Sequence, residues 1–265
     1  MEELNKLVRN TILDQLACGN IALTMSAKLI DSVEIVPIIK SVGFDGFYID
    51  LEHSSLDISA VGQIAVTALG YGISCIVRVP SNDGPLISRV LDAGAMGVHV
   101  PHVENEDDAK NAVQYAKFPP LGSRSVSPTL PQLGYRTWPL EESRKAVNKA
   151  TIIVAIIESK KGVDHADEIA AVDGIDVLLV GTNDLCADWN IHGQFDDPKV
   201  EVAYEKVMSA CKAHGKVMGI GGLAARPDLV AKYVALGARY VMAGSDLQFF
   251  VKGAQDRMAQ LQACR

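Results

Sequence analysis

Three observations predict an α/β fold, closed as one (β/α)8 barrel, a TIM barrel, spanning residues 1–265 with an extra N-terminal helix. Strand-like and helix-like runs alternate eight times, and such alternation implies parallel strands joined by crossover helices. The strand runs are almost wholly apolar and β-branched, as in strands buried on both faces. The length of 265 residues suits one such barrel, which needs about 250.

The elements follow from hydrophobic periodicity, in order. A helix over 3–18 precedes the repeat. Strand 21–26 leads to helix 31–42, strand 46–52 to helix 59–70, strand 74–80 to helix 85–94, and strand 97–102 to helix 106–117. Five prolines between 118 and 139 disfavour regular structure there, and a short helix follows over 140–149. Strand 151–157 leads to helix 161–171. Strand 176–181 is followed by a polar loop and helix 198–213. Strand 217–221 leads to helix 227–236, and strand 240–244 to a last helix over 247–263. No composition shift marks a second domain.

Composition narrows the function classes. Apolar content of 48% and charged content of 22% are those of a globular protein. A net charge of -7 without any Lys/Arg block argues against a nucleic-acid partner. No apolar run approaches the roughly 20 residues of a membrane span, and the N-terminus does not read as a signal peptide. The cysteines at 18, 75, 186, 211 and 264 are scattered and form no C-x-x-C, which predicts reduced thiols and a cytoplasmic protein.

In a barrel the carboxyl ends of the strands converge and carry the active site. There the sequence places Asp50, Glu52 and His53, then Arg78, His102 and Glu158. Gly181, Thr182, Asn183 and Asp184 follow, with glycines at 219, 221 and 222. Glu158 and Asp184 end successive apolar strands and suggest a pocket for a hard divalent cation; either alone reads equally as a helix cap. Arg78 interrupts a buried strand and requires an anionic partner. His53 and His102 read as polar loop residues or as site residues, and Asp92 as a late-helix acid. The glycines after strand seven offer backbone N–H groups for a phosphate, a weak signal. No strand interior carries a lysine for a Schiff base, so enolate chemistry needs a metal as electron sink.

Residues 43–53, 78–83, 89–97, 119–124, 157–158 and 172–185 together resemble, in order, the motifs of the HpcH/HpaI aldolases. The resemblance runs from about residue 20 to 250. It implies a carbon–carbon lyase, a metal-dependent class II aldolase, that cleaves 4-hydroxy-2-oxo acids to pyruvate and an aldehyde through a pyruvate enolate and decarboxylates oxaloacetate. Carried over by motif, Glu158 and Asp184 hold Mg²⁺ or Mn²⁺. Arg78 contacts the keto oxygen, and His53 is the acid/base group with Asp92 orienting it. The backbone from Gly181 to Asp184 holds the substrate carboxylate, with His102 also in the substrate site. A homo-hexamer, a trimer of dimers with the last helix packed on a neighbour, is implied as well. Ile156, Thr182, Asn183 and His102 depart from the bacterial pattern and are similar to macrophomate synthase-like fungal members. Those imply, as an alternative, an oxaloacetate decarboxylase that forms carbon–carbon bonds. A phosphate-binding barrel isomerase and a catalytically silent binding barrel are the other readings.

Overall fold

The computed structural model describes residues 2–262. Cys264 and the end of the expected last helix lie outside them. Helices α1 (Glu2–Leu7) and α2 (Thr11–Ala17) precede the barrel. The repeat then runs β1 (Ala22–Ala27), α3 (Ile35–Val42), β2 (Gly46–Asp50), α4 (Ile58–Tyr71), β3 (Ser74–Arg78), α5 (Gly84–Asp92), β4 (Gly97–Val100) and α6 (Glu106–Ala116). After a 3-10 turn at Pro131–Leu133 come α7 (Leu140–Ala150), β5 (Ile152–Ile157), α8 (Lys160–Asp164), α9 (Ala166–Ala171), β6 (Val177–Gly181) and α10 (Thr182–Asp188). The chain continues with α11 (Pro198–His214), β7 (Val217–Gly221), α12 (Pro227–Leu236), β8 (Tyr240–Ser245) and α13 (Asp246–Gln262). The eight strands pair in sequence order, and β1 closes on β8, all parallel. The predicted barrel is therefore the observed one.

The apolar runs are explained by burial on both faces. Side chains alternate across a strand. One parity packs inside the barrel: Tyr48, Ile76, Val154, Ile156, Leu179 and Tyr240. The other parity packs under the helices: Phe47, Ile49, Val77, Ile153, Ala155 and Val180. Strand register then fixes what shares a level, and Asp50 stands beside Arg78.

Three local expectations are corrected. The helix expected over 3–18 is two helices. Between them Asn10 is buried, and its carboxamide oxygen accepts from the backbone N–H of Ile12 and Leu13 while its nitrogen donates to Met96 and Ala150. A cap with such distant partners overrides local periodicity. The helix expected over 161–171 is interrupted at His165, whose φ of -101° leaves helical geometry. The polar loop after β6 is instead α10, because Leu185 and Cys186 bury one side of it.

Candidate active site

A cavity of about 490 Å³ opens at the carboxyl end of the barrel. The inward parity of the strands delivers Ser26, Asp50, Arg78, Glu158 and Gly181 to it, the loops beyond add Lys28 and His53, and the first turn of α10 adds Asn183 and Asp184. Most of the expected site residues are thus gathered from four separate strands.

Arg78 is held rigidly. Its Nε donates to Asp50 Oδ1 at 3.0 Å and its Nη2 to Asp50 Oδ2 at 2.6 Å. Its Nη1 lies 3.1 Å from Glu52 Oε2. Asp50 also accepts from the backbone N–H groups of Glu52 and His53, both at 3.1 Å. Burial alone would push the Asp50 carboxyl up, but the Arg78 hydrogen bonds and charge outweigh it and hold it below the usual carboxylate range. The guanidinium therefore has its anionic partner, as the sequence required.

Glu158 behaves in the opposite way. Burial, and then the negative charges of Asp184 and Glu52, push its carboxyl above the usual range, against the pull of His102. The backbone N–H of His102 donates to Glu158 Oε1 at 2.8 Å, and its Nδ1 lies 2.9 Å from the same oxygen. His102 reaches this place in a left-handed backbone conformation, φ 53°. Glu158 Oε2 faces Gly181, where an added Cβ would stand 3.0 Å from it. Glycine there leaves that oxygen accessible. A buried carboxylate repelled by a second one suits a hard divalent cation, with oxygen donors only and open positions for water and substrate. Among the described residues no three His, Cys, Asp or Glu side chains form a closed cage.

Three expected site residues, Asp92, Thr182 and His102, are not among those lining the cavity. Asp92 does not meet His53: it pairs with Arg124 Nη2 at 2.6 Å and lines a separate 690 Å³ cavity beside α4 and α5. The acid beside His53 is Glu52, with 3.7 Å between Oε2 and Nε2. Sequence spacing could not show this, since helix α5 turns Asp92 away. Thr182 is wholly buried, and its hydroxyl bonds the Tyr204 hydroxyl at 2.7 Å and donates to the Gly221 carbonyl at 2.6 Å. Its side chain supports the turn after β6 and does not face the cavity. His102 stands on Glu158 at the rim, where its side chain is 67% exposed.

The barrel interior also supplies Tyr48 to the cavity floor. Burial, partly opposed by Arg78, pushes its phenol up to about 12, so it remains a neutral donor. His99 packs against Tyr48 and bonds the Tyr240 hydroxyl at 2.8 Å; burial, then the Arg78 charge, pulls its imidazole down to about 3. It is neutral at pH 7. Ser26, Lys28 and Tyr48 were missed in the sequence, where only strand parity signals them.

Paired carboxylates and a clamped guanidinium at the carboxyl mouth of a closed barrel define an enzyme for small anionic, oxygen-rich substrates. The HpcH/HpaI aldolase/citrate lyase family matches residues 29–253, and the chain belongs to that family. It is 38% identical over 250 residues to a 4-hydroxy-4-methyl-2-oxoglutarate aldolase of Hapsidospora irregularis, covering 93% of each. It is 37% identical over 213 residues to a 5-keto-4-deoxy-D-glucarate aldolase of Enterobacter sp. (strain 638), covering 80% of this chain and 82% of that one. The crystal structure of macrophomate synthase matches with a TM-score of 0.82 at 26% identity, covering 97% of this chain and 91% of that one. The expected fold, family and lyase class are borne out.

Proposed function

We propose that this protein is a divalent-ion-dependent aldolase that cleaves 4-hydroxy-2-oxo acids to pyruvate and a carbonyl compound, and that the same site decarboxylates oxaloacetate. The reading is carried by one observation: Glu158 and Asp184 line one cavity with a guanidinium fixed by Asp50 and Glu52. The substrates named for both relatives are 4-hydroxy-2-oxo acids, which supports the same class here.

Glu158 and Asp184 would hold the ion, Mg²⁺ or Mn²⁺. When bound, it supplies Lewis-acid polarisation of the 2-oxo group. Arg78 places a fixed positive charge where the keto oxygen gains charge, and needs no reorganisation because Asp50 already occupies two of its five N–H groups. The substrate carboxylate is assigned to the backbone of Gly181–Asp184. In cleavage the C3–C4 bond breaks and its electron pair passes to the pyruvate half as the enolate. The 4-hydroxyl proton passes to His53, held beside Glu52. Decarboxylation yields the same enolate with loss of CO₂ and no hydroxyl proton to remove.

We place a neighbouring copy on α13, in a hexamer. Of this helix only Asp246 is buried, while Phe249, Phe250, Val251, Met258 and Leu261 are exposed, an apolar surface that supports assembly. Free thiols at Cys18, Cys75, Cys186 and Cys211 support a reducing, cytoplasmic setting. Among the described residues no helix is long and apolar enough to cross a membrane.

The test is pyruvate release from a panel of 4-hydroxy-2-oxo acids and from oxaloacetate, with and without added Mg²⁺ or Mn²⁺. Ion-dependent release from at least one hydroxy acid is expected. Release undiminished by EDTA, or no release from any compound, overturns the reading.

A further inference from the structure

We propose that Tyr48 is the acid that delivers a proton to the methyl carbon of the pyruvate enolate, so that the two proton transfers of the cycle fall to two residues at different depths. This deepens the aldolase reading of the same cavity and rests on it.

Cleavage moves two protons. The 4-hydroxyl gives one up, and the enolate must gain one at C3 to become pyruvate. His53 takes the first, and its side chain is 55% exposed. The second transfer belongs deeper in the barrel. C4 and its substituents leave toward the mouth, so the opposite face of the enolate is turned to the cavity floor. That floor is built by interior side chains, Ile156, Leu179, Met242 and Tyr48. Of these four, Tyr48 alone carries a proton to give.

Strand register sets its depth. Tyr48 pairs with Ile76, and two residues further on Asp50 pairs with Arg78. Tyr48 therefore shares their inward parity, one layer lower. The Arg78 guanidinium carbon stands 5.9 Å from the centre of the Tyr48 ring. A keto oxygen held by Arg78 brings C3, two bonds away, into the space that Tyr48 lines. The ring is also fixed in advance. It is 4% exposed, and His99 packs on it with centroids 4.7 Å apart. His99 is in turn tied to the Tyr240 hydroxyl. An oriented donor of this kind needs no rearrangement at the moment of transfer.

Ser26 supplies the return path. It is the register partner of Tyr48 on β1, hydrogen-bonds the phenol and lines the same cavity. The step balances. A C–H bond forms at C3, the Tyr48 O–H bond breaks, and the enolate C–O becomes a carbonyl. The electron pair stays on the phenolate oxygen, which the nearby Arg78 charge favours. The phenolate regains its proton from Ser26 as Ser26 takes one from solvent water. Burial keeps the phenol protonated at pH 7, the form this step needs. In reverse, the same path removes a methyl proton from pyruvate.

The test follows two rates in each protein, with Mg²⁺ in D₂O. One is deuterium entry into the pyruvate methyl group, read by proton NMR. The other is CO₂ release from oxaloacetate, which is complete before C3 is protonated. Tyr48→Phe keeps the ring and its packing but removes the acid. Its exchange rate should fall about 10²- to 10⁴-fold, the range of a positioned acid–base group, while its CO₂ release falls several-fold at most. Ser26→Ala should slow exchange several-fold, and unchanged exchange there removes Ser26 from the return path. The ratio of the two rates does not depend on how much of a variant is folded. A ratio in Tyr48→Phe equal to that of wild type overturns the assignment, whether both rates hold or both fall together. Wild-type protein that cleaves a hydroxy acid yet exchanges no deuterium also overturns it, since a proton placed at C3 must be able to leave by the same path. Wild-type protein that releases neither CO₂ nor pyruvate overturns the aldolase reading and the assignment together.

Discussion

Replacing Asp50 by Asn should destabilise the barrel and disable Arg78 at once. The Asp50 side chain is 1% exposed and that of Arg78 is 12% exposed, so their pairing is little screened by water. An asparagine keeps one oxygen for the backbone N–H groups of Glu52 and His53. Its amide nitrogen then faces Arg78 Nη2, donor against donor, where the native pair stands at 2.6 Å. Breaking a buried pair from one side costs about 3–5 kcal/mol. Glu52, 3.1 Å from Nη1, still compensates part of the guanidinium charge and sets the expectation at the lower end, about 3 kcal/mol. For a chain of this size that lowers Tm by roughly 6–12 °C. Cleavage should fall about 100-fold, as when one preorganised donor to a developing oxyanion is lost.

Thermal and urea unfolding of Asp50→Asn, Arg78→Met and the double variant measure this. The double variant should be less destabilised than the sum of the single ones, because Asp50 and Arg78 then no longer leave each other unpaired. The pH dependence gives a further check. The Asp50 carboxyl is held below its unfolded value, so its contribution is full above the ordinary carboxylate range and is lost as pH falls toward the folded value. That acid limb should disappear in Asp50→Asn. A single variant within about 1 kcal/mol of wild type, with additive double-variant losses, refutes the clamp.

Glu158→Gln and Asp184→Asn should each abolish cleavage while leaving the melting temperature near that of wild type; full turnover by either variant in EDTA would contradict the proposed ion site. Because burial and the neighbouring acids hold Glu158 above the usual range, a proton competes with the ion there. Activation by Mn²⁺ should accordingly need more ion as pH falls, and an activation constant equal at acidic and neutral pH would count against it. His53→Ala should harm aldol cleavage more than oxaloacetate decarboxylation, which removes no hydroxyl proton, and equal losses in the two assays would remove His53 from that role. Gly97→Ala should unfold or sharply destabilise the chain, since the added Cβ would stand 2.2 Å from the Ile152 carbonyl oxygen, and overpacking of this kind costs about 1–3 kcal/mol or more. An unchanged Tm there would mean that β4 and β5 can separate without loss.

The barrel was legible because both faces of its strands are apolar, and that same property hid much of the site. Where inner and outer faces read alike, an apolar run shows a strand but not which parity points inward. Asp50 and Glu52 were placed at the mouth, yet their clamp on Arg78 follows only from the register that sets Asp50 beside it. Lys28 and Ser26 share the inward parity of β1, but nothing in the run around them distinguishes that parity from the other. Pairings between elements were least legible. Asp92 follows a helical pattern that fits a solvated acid, and its actual partner, Arg124, comes from the proline-rich stretch that periodicity left without structure. Asn10 sits inside a sound amphipathic pattern, but its partners are 86 and 140 residues away and they divide the helix. Local sequence therefore carries what burial imposes residue by residue, and loses what closure of the barrel imposes between strands. The site lies where closure acts, so its chemistry is set by register and parity: Glu158 and Arg78 belong to one pocket because Arg78 ends β3, Glu158 directly follows β5, and both point inward.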